Sequence, residues 1–231
     1  MVQVDNAVKE RFDEIHRHYD FFNHLFSFGL DIGWRNEAAR ESILSKGSYT
    51  VLDIATGTGD FAIAMQKAAS QAGKEVRITG TDMNEKMLAH AKDKLSSLGL
   101  AGIRLEKGDA IETKYKDSSF DVVTSAFAMR SFSSRLDKFA METYRITREG
   151  GKFVMVDMAM PDKHVLLTKM HFGVINAIGY VAGRKAYPWL TYSISRFDKN
   201  DAAQKFKDAG FRDVRVRDLR SGVAFMIVGR K

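Results

Sequence analysis

The sequence predicts a doubly wound α/β fold with a mostly parallel sheet, and three observations predict it. Five short apolar runs alternate with segments of helical length between residues 50 and 159, the pattern of βαβ units. A glycine turn, Thr56-Gly57-Thr58-Gly59-Asp60, follows the first run directly. The chain closes on two apolar runs, FRDVRVRDL and VAFMIVGR, joined only by Arg220-Ser221-Gly222. A turn that short makes a hairpin, so the last strand is expected to run antiparallel.

The elements follow in order. Residues 5–45 read as helical, with Asp5-Asn6 as a cap. SFGLDIGW is expected to break this region at Gly29 and Gly33 before a second helix over 34–45. TVLDIA (50–55) is the first strand, and FAIAMQKAASQA after the glycine turn is a helix. VRITGTD (76–82) is the second strand, followed by a helix opened by Asn84 and closed by Gly99. IRLEKGDA is the third strand and FDVVTSA (120–126) the fourth. SRLDKFAMETYRITREGG is a helix ended by a Gly-Gly turn, and KFVMVDMA (152–159) is the fifth strand. An apolar, glycine-spotted insert occupies 164–183, and NDAAQKFKDAGF is the helix before the hairpin. One domain over 1–231 is expected: a helical cap at 1–47, a ligand-binding core at 48–160, a substrate-side insert at 161–199, and a helix with hairpin at 200–231.

Bulk properties narrow the function. The absence of cysteine excludes disulfides, thiolate metal sites and a cysteine nucleophile, and fits a cytoplasmic protein. The first twenty residues are too charged for a signal peptide, and no run of 18 apolar residues exists to span a membrane. A net charge of +7 is spread along the chain, and the only dense basic stretch is FRDVRVRDLR. No nucleic-acid partner is expected, since a solvated face explains scattered charge. His16, His18 and His24 lie close in sequence but lack a carboxylate or cysteine pattern to complete a metal site, so none is expected.

The chemistry gathers at the carboxyl ends of the first strands. Small residues in Asp53-Ile54-Ala55-Thr56-Gly57-Thr58-Gly59-Asp60 let a ligand approach the backbone, and the following helix offers free N–H groups. Asp82 ends the second strand 23 residues after Gly59, where a carboxylate suits ribose hydroxyls, and Asp109 stands in GDA at the end of the third. Either acid alone is equally a turn or helix cap; both with the glycine turn point to a ligand. Asp53 and Asp60 flank the turn and would repel the pyrophosphate of a dinucleotide. S-adenosylmethionine carries a sulfonium and an amino group and no phosphate. The acidic surroundings and the terminal hairpin favour it, with an NAD-type nucleotide-binding module as the alternative.

At this point the sequence resembles the class I S-adenosylmethionine-dependent methyltransferases, and more narrowly the ubiquinone/menaquinone C-methyltransferase family. YDFFNHLFSFGLDIGWR (19–35), DIATGTGDFA (53–62), SAFAMRSF (125–132) and YPWLTYSISRF (187–197) carry the likeness and span nearly the whole chain. It implies a seven-stranded fold with an amino-terminal helical cap. The glycine turn gives Asp53, Gly57 and Gly59 as cofactor residues, and the resemblance implies contacts from Thr58, from Asp82 at the ribose with Met83 beside it, and from Asp109-Ala110 at the adenine edge. The resemblance also implies that Arg130, Tyr187 and Ser193 meet the substrate. The family's F-G-x-R-N segment corresponds to residues 127–131, with Ala128 and Ser131 in place of glycine and asparagine. Its glutamate-phenylalanine pair after strand five is Asp157-Met158, and its second tyrosine near 187 is Trp189.

The activity implied is C-methylation of a prenylated quinol or phenol ring, with another small molecule methylated on O, N or C as the alternative. A ring carbon becomes nucleophilic when an adjacent hydroxyl ionises. A phenol of pKa about 10 is ionised to about one part in a thousand at pH 7, and closing that gap takes roughly 4 kcal/mol. One cation about 4 Å away at an effective dielectric near 20 supplies roughly that. Arg130, just beyond the fourth strand, is the expected phenolate stabiliser, with water or a histidine taking the proton. Phe21, Phe22, Phe26 and Phe28 read as a lid or as cap packing, and Tyr19 and Asn23 as closing residues or packing. The insert reads as a membrane-surface contact for a lipid-soluble acceptor, a homodimer face or a plain substrate wall.

Overall fold

The fold is described from a computed structural model, over residues 27, 29–100, 102–161, 168, 170, 173, 186–220 and 222–231, with the side chains of 186–190 excluded. Phe21, Phe22, Phe26, Phe28, the three amino-terminal histidines, Tyr19, Asn23 and nearly all of the 164–183 insert lie outside the described residues. Among the described residues no helix is long and apolar enough to cross a membrane.

In chain order the elements are α1 (Leu30–Glu41), β1 (Ser48–Ile54), α2 (Asp60–Gln71), β2 (Glu75–Asp82), α3 (Glu85–Ser97), β3 (Arg104–Lys107) and β4 (Phe120–Ala126). A 3₁₀ turn (Met129–Arg135) leads into α4 (Leu136–Ile146). Next come β5 (Thr147–Met158), α5 (Ala186–Arg196), α6 (Lys199–Asp208), β6 (Arg212–Asp218) and β7 (Ala224–Arg230). The strands form one seven-stranded sheet in the order β3-β2-β1-β4-β5-β7-β6. All neighbours are parallel except β7, which runs antiparallel to both β5 and β6. Strand order reverses between β1 and β4, which leaves a crevice at their carboxyl ends, the usual ligand position in open α/β sheets.

Period-two alternation distributes the central strands between two cores. Val51 of β1, Val154 and Val156 of β5 and Met226 of β7 pack with Trp34 and Ala38 of α1 and with Phe61 and Met65 of α2. Their neighbours Leu52, Ile54, Phe153, Met155 and Phe225 pack on the other face with Phe139 of α4 and Phe206 of α6. Burial on both faces explains why these strands read as continuous apolar runs. α3 starts as expected, the Asn84 side chain accepting from the N–H groups of Lys86 and Met87 at 3.0 and 3.3 Å.

The structure corrects several expectations. Gly33 does not break a helix: α1 runs through it, and the break is at Gly29, whose left-handed φ of 73° precedes the first turn. β3 is only four residues long, so Asp109 lies in the loop beyond it rather than on the strand. Gly150 and Gly151 form no turn between helix and strand. β5 begins at Thr147, and the glycines sit in a bulge where its register with β4 shifts. The bulge needs them, because a Cβ on Gly151 would lie 2.7 Å from the carbonyl oxygens of Arg148 and Asp121.

Aromatic rings join the second core to the carboxyl-terminal strands. The Phe153 ring stacks on Phe206 at 4.2 Å between centroids and meets Phe211 at 4.4 Å. The ring leaves no room for a side chain at residue 229, where an added Cβ would lie 2.5 Å from it. Both Phe153 and Phe206 are fully buried. Phe206→Ala is therefore expected to lower the unfolding free energy by about 3–5 kcal/mol. Urea denaturation followed by circular dichroism measures it, and a loss under about 1 kcal/mol would show that this ring cluster does not hold α6 to the sheet.

Candidate functional site

The crevice begins with Asp53, which the last turn of β1 carries to the switch point. Its carboxylate is buried, with Oδ2 accepting from Thr56 Oγ1 at 2.6 Å and Oδ1 from Thr124 Oγ1 at 2.9 Å. Burial pushes this carboxyl up to about 7, against the two threonine donors and the Arg35 charge, with Asp82 adding to the rise. Ala55 then turns the chain with a left-handed φ of 53°, and Gly57 and Gly59 follow with φ of 57° and 84°. Thr56 N–H donates to the Thr81 carbonyl at 2.9 Å, tying the turn to β2.

The two β2 residues that face this turn are fitted to it. A Cβ on Gly80 would lie 2.9 Å from Thr56 Oγ1, so only glycine admits the threonine that holds Asp53. Asp82 Oδ2 accepts from Gly57 N–H and Oδ1 from Asn84 N–H, both at 2.8 Å. Burial raises the Asp82 carboxyl, and the Asn84, Gly57 and Met83 N–H groups work against that rise. These backbone donors do not fill a carboxylate, which has about four lone-pair directions, so Asp82 keeps acceptor capacity for a hydroxyl. Met83 beside it is an exposed apolar side chain. Asp109 Oδ1 accepts from Ile111 N–H at 2.9 Å, a local turn, and Ala110 is buried.

An open cleft lies over the glycine turn, bordered by Asp53, Gly57, Thr58, Asp60, Ala126 and Arg35. Asp60 Oδ1 accepts from Lys94 Nζ at 2.7 Å, while its Oδ2 is buried with no partner among the described residues. Arg35 is 7% exposed. Its Nη1 donates to Asp31, and its guanidinium carbon lies 4.8 Å over the Phe127 ring. Phe127, the first residue after β4, has a left-handed φ of 63°, strain that marks the cleft's rim. Sequence pattern does not single out Arg35, although the segment 19–35 ends on it; packing of α1 on Phe127 through Trp34 brings it to the cleft.

Arg130 sits one strand further along. It is 5% exposed, and Nε donates to Asp157 Oδ1 at 2.5 Å while its backbone N–H donates to Oδ2 at 3.1 Å. Nη1 donates to Ser193 Oγ on α5 at 3.0 Å. Arg130 and Ser193 are thus brought together, but in a buried cluster that does not border the cleft. The charge expected to face a substrate alone is matched by a fully buried carboxylate. The signal for Asp157 was its match to the family's glutamate at the end of strand five, and the pairing of β4 with β5 puts it beside Arg130. Tyr187 lies on α5, its side chain outside the described residues.

This donor set fits a cationic nucleoside ligand. Carboxylates border the cleft, one buried acceptor has no partner among the described residues, and neither the turn nor the first residues of α2 carry a basic group for a phosphate. The comparisons agree. Over 231 residues the chain is 39% identical to the demethylmenaquinone methyltransferase of Deinococcus radiodurans, covering 97% of this chain and 92% of that one. It is 31% identical to the protein of the same name from Geobacillus kaustophilus, covering 98% and 97%. Among solved structures, a SAM-dependent methyltransferase from Aquifex aeolicus shares the fold at a TM-score of 0.62 and 20% identity, over 87% of this chain and 90% of that one. Phosphoethanolamine N-methyltransferase 2 of Haemonchus contortus, solved with S-adenosylmethionine, aligns at 0.61 and 17% identity, over 86% of this chain and 52% of that one. With residues 1–231 matched to its pattern, the chain belongs to the ubiE/COQ5 methyltransferase family and is an S-adenosylmethionine-dependent methyltransferase.

Proposed function

We propose that this chain methylates a ring carbon of a prenylated quinol or phenol in quinone biosynthesis, the acceptor being of the demethylmenaquinol class. One observation carries the reading: a buried guanidinium, Arg130, clamped by Asp157 beyond the end of β4, four residues past Ala126 at the cleft. The names of the full-length relatives supply the acceptor class.

Asp53, Gly57, Thr58 and Gly59 would hold the cofactor over the turn, Asp82 and Met83 its ribose and adenine, and Asp109-Ala110 the adenine edge. When bound, the cofactor supplies an electrophilic methyl group on a sulfonium. The chain's own part is to orient the acceptor and favour its phenolate. Arg130 and Asp157 together form a neutral pair, so the guanidinium contributes less than the roughly 4 kcal/mol of an isolated cation. What it retains is a rigid fork of donors, of which Nε and one Nη1 hydrogen are engaged within the described residues. Asp157 fixes the plane of that fork and Ser193 ties it to α5. Arg130 orients the acceptor oxygen, and the proton goes to another group. Tyr187 and Ser193 place α5 beside the acceptor, and an acceptor this lipid-soluble would be collected at a membrane surface, for which the apolar stretch 164–183 is the candidate.

Three outcomes are expected. Incubation with labelled S-adenosylmethionine and a cell lipid extract yields a labelled prenylated quinol by mass spectrometry; a labelled product lacking a prenyl tail would sink the quinone assignment. Arg130→Lys, which keeps the charge opposite Asp157 but loses the fork, lowers kcat about 100-fold with cofactor affinity unchanged; unchanged kcat removes Arg130 from the mechanism. Cofactor affinity weakens as pH falls below about 7, because a cationic ligand favours the ionised Asp53 and must displace its proton. Calorimetry across pH 5.5–8 tests this (a range of about 1.5 units below and 1 above the Asp53 value), and a profile no steeper than that of Asp53→Asn refutes it.

A further inference from the structure

The hairpin at the end of the sheet carries a charge pattern that methyl transfer does not use. β6 is an edge strand, paired only with β7. Its cross-strand pairs fix which side each residue takes. Arg215 lies opposite Val228 and Arg217 opposite Met226, and both partners pack toward α1. Val216 lies opposite Ile227 and Asp218 opposite Phe225, on the face that α6 covers. A plain two-residue period from Arg215 would put Arg212 on the α6 side. A bulge prevents it. The register shifts between Arg212 and Arg215, Asp213 takes a left-handed φ of 51°, and Arg212 lies opposite Arg230. The extra residue turns Arg212 onto the same face as Arg215, Arg217 and Arg230.

All four arginines are exposed, so no described element covers this face of β6. Arg217 pairs with Glu37 of α1 at 3.1 Å. Arg212, Arg215 and Arg230 have no carboxylate partner among the described residues. The other acids at this side are Asp213 at the bulge and Glu41 at the end of α1, which lies near the buried Lys152. Asp218, on the opposite face, is held by Lys199 at 2.7 Å. Edge strands are commonly guarded against pairing by charge, but that purpose needs no common side. Here the bulge gathers the charge on one side.

The four side chains spring from backbone positions about 5 Å apart across the pair and about 7 Å apart along β6. A flat, spread array of this kind does not close round one phosphate. It matches many anionic headgroups lying in a plane. The pair is the edge of a seven-stranded sheet, too broad to enter a nucleic-acid groove, and the face has no aromatic ring for a base to stack on.

We propose that this arginine face docks the chain on an anionic lipid bilayer. The inference rests on the reading of the acceptor as lipid-soluble, which places the substrate in a bilayer, and it names a surface other than the stretch 164–183. Arg217 ties the face to α1 at Glu37, two residues beyond Arg35 at the cleft, so docking there sets the bilayer beside the site.

Flotation of the full chain with phosphatidylcholine vesicles, with and without phosphatidylglycerol, tests the surface. The unaltered chain is expected to prefer the vesicles that contain phosphatidylglycerol, and the preference to fade as salt rises. Arg212→Gln, Arg215→Gln and Arg230→Gln together are expected to lower partitioning onto them about 100-fold. Arg212→Lys, Arg215→Lys and Arg230→Lys together are expected to keep most of it, since a field of headgroups reads charge. Turnover of a short-chain quinol in solution stays unchanged in both variants, because none of the three residues borders the cleft. Equal partitioning of the unaltered chain onto both kinds of vesicle overturns the proposal, as does equal partitioning of the glutamine variant and the unaltered chain onto the anionic ones. Tighter binding to duplex RNA than to anionic vesicles at equal phosphate concentration assigns the face to nucleic acid and overturns it too. A chain that docks but methylates no prenylated acceptor rejects the acceptor reading alone, and one that methylates it but ignores anionic vesicles rejects this surface alone.

Discussion

A single buried carboxylate organises the end of this sheet. Asp53 is out of water at the point where strand order reverses, and a buried carboxylate is tolerated only with donors on both oxygens. Thr124 supplies one from β4 and Thr56 the other from the turn after β1. To reach Asp53, Thr56 has to press against β2, and the missing side chain of Gly80 makes the space. The turn so drawn in presents Gly57 N–H to Asp82. The carboxyl ends of β1, β2 and β4 are thereby locked to one another before any ligand arrives. Loss of any one hydrogen bond in the set leaves a buried polar group unpaired, which costs more than the bond itself contributes.

A second buried charge cluster does the same for the substrate side. Arg130 and Asp157 lie on neighbouring strand ends, and Ser193 joins them to α5. Hydrophobic residues of the same volume would stabilise such a position as well or better, so the ion pair is weak support for stability. Its retention at the carboxyl edge of β4 and β5 suits a role in orienting a ligand. The two clusters divide the work: one carboxylate rim faces the cleft over the turn, and one neutral, hydrogen-bonding pair stands behind it.

Between the two clusters the strand ends are strained. Ala55 follows β1 and Phe127 follows β4, and both adopt left-handed backbone that a side chain disfavours by about 1–3 kcal/mol. For Phe127 the surroundings account for it. Its N–H donates to the Val156 carbonyl at 2.7 Å, and its ring meets Trp34 and Arg35. Trp34 in turn donates from its indole to the Arg220 carbonyl at 2.7 Å, so α1 is anchored to the hairpin turn as well as to the cleft. The helix before the sheet is thus held at a fixed place over the glycine turn by contacts from both ends of the chain.

Periodicity and turn chemistry in the sequence determined the strands of the core, the glycine turn, the Asn84 cap and the antiparallel hairpin, because these depend on neighbours within a few residues. The family likeness lay in motifs that survive as short strings, DIATGTGDFA above all. Local pattern misplaced the Gly150-Gly151 pair, since a bulge is defined by the register of β4 against β5 and not by the glycines alone. It also left the partner of Arg130 unassigned. Asp157 lies 27 residues away in sequence and becomes its partner only when β4 and β5 pair. Arg35 shows the same limit from the other side, because its distance from Asp53 along the chain conveys nothing about the helix that folds back over the turn. Tertiary structure decided which charges meet, for the physical reason that a charge's surroundings are set by strand order and helix packing, and no string of neighbouring residues encodes them.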